Sequence, residues 1–361
     1  MSMKALVYNG PGKREFKQVP IPKIESSKDA VIKLEATTIC GTDLHIFKGD
    51  VPEVKEGTIL GHEGIGRVHE VGSDVTKFKV GDRVLVACIT ACGSCVYCKK
   101  NLQSHCLDGG WILGHNINGT QAEYTRIPYA DNSLHNVEKY EGKVSDEALL
   151  MISDAMPTGN EIGALNGQIT EGDVVAIVGA GGIGSSALVA VKSFNPGLII
   201  VIDPDEERLR VAKEKFGADV GINPTKVDVV EEISKLVATV NVGERANLTN
   251  KVDVAIEAVG IPQTFDTCQN IIAPGGRIAN VGVHGKAVNF NIQDLWSQNI
   301  TLATGLVNAY SIPELLEKVA SNRADPSGLV THKFTFDQME ESYETFGDAS
   351  KNKCIKVFVK F

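Results

Sequence analysis

The sequence predicts an α/β protein in two parts: a doubly wound parallel sheet and an irregular β-barrel-like domain. Three observations predict it. The chain has 361 residues, more than one typical domain holds. Up to about residue 155 it is written as short β-runs broken by Gly and Pro. From about residue 160, apolar strand runs alternate with helical stretches, which demands βαβ units and a parallel sheet.

In the first part, Ala30–Leu34, Gly66–Val71 and Arg83–Val86 read as strands. In the second, Val174–Val178 is an unbroken apolar run. A glycine turn follows it, then a helix from about Ile183 to Phe194, then the strand Leu198–Ile202. The alternation continues with helix Glu206–Phe216, strand Val220–Ile222 and a helix around Val229–Val237. Strand Val252–Glu257, helix Pro262–Ile272, strand Arg277–Val283 and a strand signal at Ile300–Thr304 complete it. Beyond residue 305 come further helical segments and a final strand, Cys354–Phe361, expected to return to the first domain. The expected division is therefore 1–155 with 304–361, and 156–303.

Composition narrows the function. Hydrophobic residues make up 43 % and charged residues 22 % of the chain, ordinary values for a globular protein. A net charge of −9 offers no basic footprint for nucleic acid. No run approaches the length of a membrane span, and the N-terminus has no signal-peptide pattern. A cytoplasmic protein with reduced, metal-bound thiols is the expectation, because disulfide frameworks belong to short secreted chains.

Gly179-Ala180-Gly181-Gly182-Ile183-Gly184 follows a strand and opens a helix. The first glycine permits the tight turn, the second lets the backbone approach a pyrophosphate, and the third lets helix and strand pack closely. The helix N-terminus offers free N–H groups to the phosphates. Asp203 ends the next strand, 19 residues after Gly184, where a carboxylate bonds both ribose hydroxyls and repels a 2′-phosphate. NAD is favoured over NADP. A helix cap is the competing role for Asp203. Arg208 either weakens the NAD preference or stacks on adenine.

Cys92, Cys95, Cys98 and Cys106 are spaced C-x2-C-x2-C-x7-C. Four thiolates close a tetrahedral zinc shell with no open position, so this site ties down a loop and does not react. Chemistry points to Ile39-Cys40-Gly41-Thr42-Asp43-Leu44-His45 and Gly61-His62-Glu63-Gly64-Ile65-Gly66, which supply a thiol, an imidazole and a carboxylate for an open zinc site.

With these motifs together, the whole chain resembles the zinc-dependent medium-chain alcohol dehydrogenase family, in the branch of secondary alcohol and formaldehyde-dehydrogenase-like enzymes. The resemblance implies a Rossmann domain plus a GroES-like catalytic domain. It implies Cys40, His62 and Asp154 as ligands of a catalytic zinc, with Glu63 as an exchangeable ligand. It also implies Asp43 orienting the ligand His, Thr42 bonding the substrate oxygen and His45 ending a proton relay. Thr158, Val259, Val281 and Val283 would join Gly179, Gly181, Gly182, Ile183 and Gly184 in holding the cofactor. Cys88, Ile89, Trp111, Leu306 and Val307 would line the substrate pocket. Each residue has a plainer alternative: Cys40 a buried small hydrophobe, His62 a loop residue, Asp154 a helix cap, Trp111 simply core.

Gly41 stands where some relatives carry a phosphate-binding Arg or a His, which leaves Lys356 to supply charge to the pyrophosphate. The chain has little room for the insertion of glutathione-independent formaldehyde dehydrogenases. The expectation is an NAD-dependent alcohol–ketone oxidoreductase with two zinc ions per chain, a homotetramer before a dimer. The alternatives are a polyol, amino-alcohol or formaldehyde dehydrogenase, and a dinucleotide-binding redox sensor without turnover.

Overall fold

A computed structural model describes residues 1–239 and 250–361. The chain divides into two compact units: Met1–Asp154 with Asn308–Asn322 and Leu329–Phe361, and Ala155–Val307 with Arg323–Gly328. The first return therefore begins at Asn308, four residues after the expected 304, and a short piece near residue 325 stays with the second unit.

The first unit opens with an antiparallel pair, β1 (Ser2–Tyr8) and β2 (Arg14–Pro20). Its larger sheet comprises β3 (Ala30–Thr37), β4 (Gly64–Val71), β5 (Arg83–Val86), β6 (Tyr124–Ile127) and β7 (Leu134–Asn136), with two C-terminal strands named below. β3 pairs antiparallel with both β4 and β6. Strand residues Ala30, Ile32, Leu34, Val68, Val84 and Val86 form one core with Leu113 and Ile127. Their alternation explains why one face is packed and the other carries charge.

The second unit holds β8 (Val174–Val178), β9 (Leu198–Ile202), β10 (Val220–Ile222), β11 (Val252–Glu257), β12 (Ile272–Asn280) and β13 (Thr301–Thr304). All are parallel, in the order β10-β9-β8-β11-β12-β13. That is the doubly wound arrangement, whose ligands bind beyond the carboxyl ends of the strands. β8 and β9 are buried along their whole length, as strands covered on both faces must be. Their limits, and those of β10 and β11, coincide with the apolar runs in the sequence.

Strand β12 corrects the expected Arg277–Val283. It starts at Ile272, through Pro274-Gly275-Gly276, with a register irregularity against β11. It stops at Asn280 because the Val281 and Gly282 N–H groups both turn onto the Glu257 carbonyl, at 2.8 and 3.1 Å. Helix Gly182–Val191 likewise ends earlier than expected, and a 3₁₀ turn takes over at Lys192–Phe194.

The remaining strands are β14 (Val330–Thr335) and β15 (Lys356–Lys360), a parallel pair. β15 also pairs with β3, so the C-terminal strand lies in the first unit's sheet. Among the described residues, no helix is long and apolar enough to cross a membrane.

Candidate active site and metal centres

Cys40 precedes the helix Gly41–Lys48 and serves as its N-cap residue. The Asp43 carboxylate accepts the Cys40 N–H at 2.9 Å, which fixes the turn that presents the sulfur. His62 and Glu63 lie just before β4, after Gly61, whose φ of +90° allows the chain to turn there. Asp154 closes the first unit's N-terminal segment. One ligand atom from each of Cys40, His62, Glu63 and Asp154 falls within 4.8 Å of the others. Cys40 Sγ and His62 Nε2 both lie 3.5 Å from Asp154 Oδ2.

The surroundings of this cluster are ordered by charge. His62 Nδ1 faces Asp43 Oδ1 at 3.8 Å, which leaves Nε2 pointing at the other donors. A carboxylate behind an imidazole sets its tautomer and orientation for a metal. Asp43 also accepts from the Gly61 N–H and from Gln121, and Tyr343 donates to Gln121 at 2.8 Å. Burial pushes the Cys40 thiol and the Glu63 carboxyl up. Burial also opposes ionisation of Asp154, yet the hydrogen bond and charge of His62 outweigh it and hold that carboxyl below its usual range. One observation tests the cluster as a metal site: Glu63 Oε2 is buried and has no hydrogen-bond partner among the described residues. Soft sulfur, imidazole nitrogen and hard oxygen converging beside that oxygen form a donor set that suits zinc.

Lys356 corrects an expectation. Only 4 % exposed, it donates to Glu63 Oε1 at 2.6 Å and to the Ile39 carbonyl at 3.1 Å. It is buried in the cluster and cannot neutralise a pyrophosphate. The sequence carried no signal for this pairing across nearly three hundred residues. Cys88 is also buried; its thiol bonds Asp154 and its N–H bonds the Ser153 carbonyl at 3.1 Å.

Thr42 Oγ1 lies 3.8 Å from Cys40 Sγ. His45, one helical turn further on, is exposed and bonds Asp50 through Nδ1 at 2.9 Å. Ile89 is buried and Trp111 half-buried in the first unit, while Leu306 and Val307 end the main segment of the second.

The four clustered cysteines form a second group with all sulfurs within 4.8 Å. None of the eight cysteines is joined in a disulfide. Cys92 Sγ accepts the Cys95 N–H at 3.4 Å, Cys95 Sγ the Cys98 N–H at 3.5 Å, and Cys106 Sγ the Cys92 N–H at 3.2 Å. Such bonds favour thiolates: the Cys98 and Leu107 N–H groups pull the Cys95 thiol down to about 6. Burial pushes Cys98 up to about 12.

In the second unit the three glycines behave differently from one another. Gly179 has φ +107°, and a Cβ there would lie 2.5 Å from Val259. A Cβ on Gly184 would come within 1.9 Å of the Gly179 carbonyl oxygen. Gly181 has open space, with only Arg208 Nη1 at 3.9 Å. Gly182 and Ile183 begin the helix. Asp203 is buried; Oδ2 accepts the Ala180 N–H and Oδ1 the Asp205 N–H, both at 2.8 Å. Asp203 does not cap the following helix; Asp205 does, accepting from the Glu207 and Arg208 N–H groups. Arg208 Nη1 lies 4.0 Å from Asp203 Oδ2. Val259 and Val283 are exposed, and Val281 and Val283 lie just beyond β12. Thr158 ends the short helix Ala155–Thr158. Glu257 organises this end of the sheet: its Oε1 accepts from the Val259 and Gly260 N–H groups and from Thr264.

Two family descriptions match the chain, "Alcohol dehydrogenase GroES-like domain" over residues 26–139 and "Zinc-binding dehydrogenase" over residues 182–321. An alcohol dehydrogenase of Cupriavidus necator is 34 % identical over 99 % of this chain and 98 % of its own. The chain belongs to the zinc-dependent medium-chain alcohol dehydrogenase family. The solved apo structure of zinc-dependent alcohol dehydrogenase 2 from Streptococcus pneumonia is 46 % identical, with a TM-score of 0.90 over 99 % of this chain and 98 % of that one. An E. coli CFT073 alcohol dehydrogenase, rspB, solved with NADH, is 26 % identical, with a TM-score of 0.87 over 100 % of this chain and 99 % of that one. As a member of the family, the protein is an oxidoreductase that acts on small alcohols with zinc and a nicotinamide cofactor.

Proposed function

We propose that the enzyme interconverts alcohols and carbonyl compounds with NAD, using one catalytic and one structural zinc per chain. The observation that carries this reading is the convergence of the Cys40, His62, Glu63 and Asp154 donors beside a buried Glu63 oxygen that has no hydrogen-bond partner among the described residues. Cys40, His62 and Asp154 would hold the catalytic ion, and Cys92, Cys95, Cys98 and Cys106 the structural one. A bound zinc supplies Lewis acidity, which makes an alcohol proton easier to remove near neutral pH.

The protein residues then have defined tasks. Asp43 holds His62 in register, and Lys356 holds one Glu63 oxygen so that the other faces the donors. The Thr42 hydroxyl takes the substrate proton and passes it towards His45. The Asp50 carboxylate accepts from His45 Nδ1, so Nε2 is the nitrogen left to receive that proton. Thr158, Val259, Val281 and Val283 would pack the nicotinamide end, with Gly181 open to the pyrophosphate. Excluding water and aligning donor carbon with acceptor ring is the remaining contribution of the fold. The homologous structure solved with NADH supports this cofactor. A homotetramer in the cytoplasm is the assembly and location we favour, from the family resemblance and the reduced thiols.

The reading is tested by a screen of primary alcohols, secondary alcohols, diols and aldehydes with both nicotinamide cofactors. Turnover of alcohols in a zinc-loaded preparation is the expected result. Cofactor binding with no turnover of any of them would leave the redox-sensor reading instead.

Cofactor choice has its own test. Each Asp203 oxygen accepts one N–H bond and keeps a lone pair, so a ribose diol can donate to both. Arg208 nearby softens the repulsion of a 2′-phosphate without removing it. Asp203→Gly should lower the NAD/NADP ratio of kcat/KM by about tenfold or more. An unchanged ratio would refute the role given to Asp203.

A further inference from the structure

Two buried side chains stand behind Asp43 and have no task in the chemistry above. Gln121 is fully buried and Tyr343 is 2 % exposed. Both Asp43 oxygens already accept backbone N–H groups, Oδ2 from Cys40 at 2.9 Å and Oδ1 from Gly61 at 3.2 Å. Gln121 Nε2 donates to Oδ2 at 3.3 Å. An amide that gives its NH2 to a carboxylate turns its oxygen the other way, and a buried amide oxygen needs a donor. The Tyr343 hydroxyl is that donor, at 2.8 Å. The direction of each bond is thus set by chemistry, from Tyr343 to Gln121 to Asp43.

What Asp43 holds gives this row its purpose. Its backbone partners belong to the turn that presents Cys40 and the turn that presents His62, and its Oδ1 faces His62 Nδ1 at 3.8 Å. A carboxylate displaced from here releases both turns at once. The Gln121 main chain is tied to the same place. Its N–H donates to the Leu60 carbonyl at 3.0 Å, and a Cβ on Gly61 would lie 2.8 Å from Gln121 Cγ. Tyr343 is anchored from the other side. The Arg14 guanidinium carbon lies 4.3 Å from the centres of both the Tyr343 and Phe47 rings, and Arg14 Nε donates to Glu340 at 2.7 Å. Phe47 belongs to the helix Gly41–Lys48 that follows Cys40, and Glu340 and Tyr343 to the helix Met339–Gly347. Arg14 therefore clasps the two helices to each other.

We propose that Gln121 and Tyr343 are positioning residues for the catalytic metal: the Tyr343 hydroxyl orients the Gln121 amide, and the amide holds Asp43 on the turns that carry Cys40 and His62. The inference rests on the zinc reading of that cluster given above. Outer partners of a metal ligand are worth about ten- to a hundredfold in affinity. In a desolvated row each bond polarises the next, so removing the first weakens the last.

The test measures zinc affinity by chelator competition on the full chain, with Tyr343→Phe, Gln121→Met and the double variant. Tyr343→Phe removes one oxygen and keeps the ring under Arg14. Gln121→Met keeps an unbranched side chain of similar length. Gln121→Met should weaken zinc binding at the Cys40–His62 site by about tenfold, and Tyr343→Phe by about threefold. The four-cysteine site should keep its affinity, a selectivity that a general loss of packing would not give. The double variant should bind as Gln121→Met does, because the Tyr343 effect passes through the amide. With zinc saturating, kcat for alcohol oxidation should fall in both single variants while the KM for NAD stays unchanged, since the glycine turn lies in the other unit. Unchanged affinity of the Cys40–His62 site in Gln121→Met, equal losses at both metal sites, or additive losses in the double variant would overturn the proposal. A wild type that binds zinc only at the four cysteines defeats the parent reading and takes this one with it. Two zinc ions in the wild type with indifferent variants defeat the proposal alone.

Discussion

His62→Ala should abolish alcohol oxidation, lowering kcat by about a thousandfold or more, with one zinc per chain left by elemental analysis in place of two. The size follows from what is removed. A Lewis acid supplies several kcal/mol to the removal of an alcohol proton, and each 1.36 kcal/mol is about a factor of ten in rate. In the proposed site the imidazole would be the nitrogen ligand, and its loss leaves the Cys40 sulfur and the Asp154 oxygen facing each other at 3.5 Å. Cys40→Ser should behave alike. Both variants should stay folded and bind cofactor, because the glycine turn lies in the other unit and no core strand is touched. Full activity with the zinc count down to one would show that catalysis lies elsewhere.

Cys98→Ser should act on stability and leave the chemistry in place. Cys98 and Cys106 are the buried pair of the four, in a lobe made of turns and 3₁₀ segments at Cys98–Lys100 and Gln103–His105. Their small apolar cluster consists of Ala91 and the cysteines themselves, so little besides the metal would hold the lobe together. Loss of a structural metal ranks among the few single changes that cost more than about 4 kcal/mol. A fall in apparent melting temperature on the order of 10 °C is expected. The rate per folded, active-site-loaded chain should stay within about twofold. An unchanged melting temperature with both zinc ions retained would mean that three cysteines suffice. A large loss of kcat at unchanged stability would mean that the lobe shapes the active site.

These predictions lean on residues that were legible to different degrees. The parallel-sheet strands could be read directly, because a strand covered on both faces is an unbroken apolar run, as Val174–Val178 and Leu198–Ile202 are. The start of β12 could not be read. Pro274, Gly275 and Gly276 are breakers locally, but pairing with β11 and β13 holds the chain in the sheet. Its end was overread for a related reason: a single carbonyl, that of Glu257, draws two N–H groups and turns the chain away.

The candidate site shows the same split. The glycine motif states its geometry in its own spacing, since only glycine tolerates the φ of Gly179 or the approach of Gly184 to the Gly179 carbonyl. Donor types and motif spacings likewise marked Cys40, His62 and the cysteine lobe as candidates. Partnerships across the fold were invisible. Lys356 on β15 reaches Glu63 beside β4, the Cys88 thiol meets Asp154, and Asp50 takes His45 beyond the end of its own helix. The cap that competed with the ribose role of Asp203 belongs to Asp205, two residues on, while Asp203 turns back to the Ala180 N–H.

The sequence by itself determined the fold class, the family, the glycine turn and the residue types able to hold metal and cofactor. These depend on local conformation and on periodicity, which neighbouring residues express. Tertiary structure alone decided which buried charges face one another and where Lys356 spends its charge. Such outcomes depend on segments far apart in the chain meeting in a desolvated space, where an unmatched polar atom is costly, and no local pattern records that meeting.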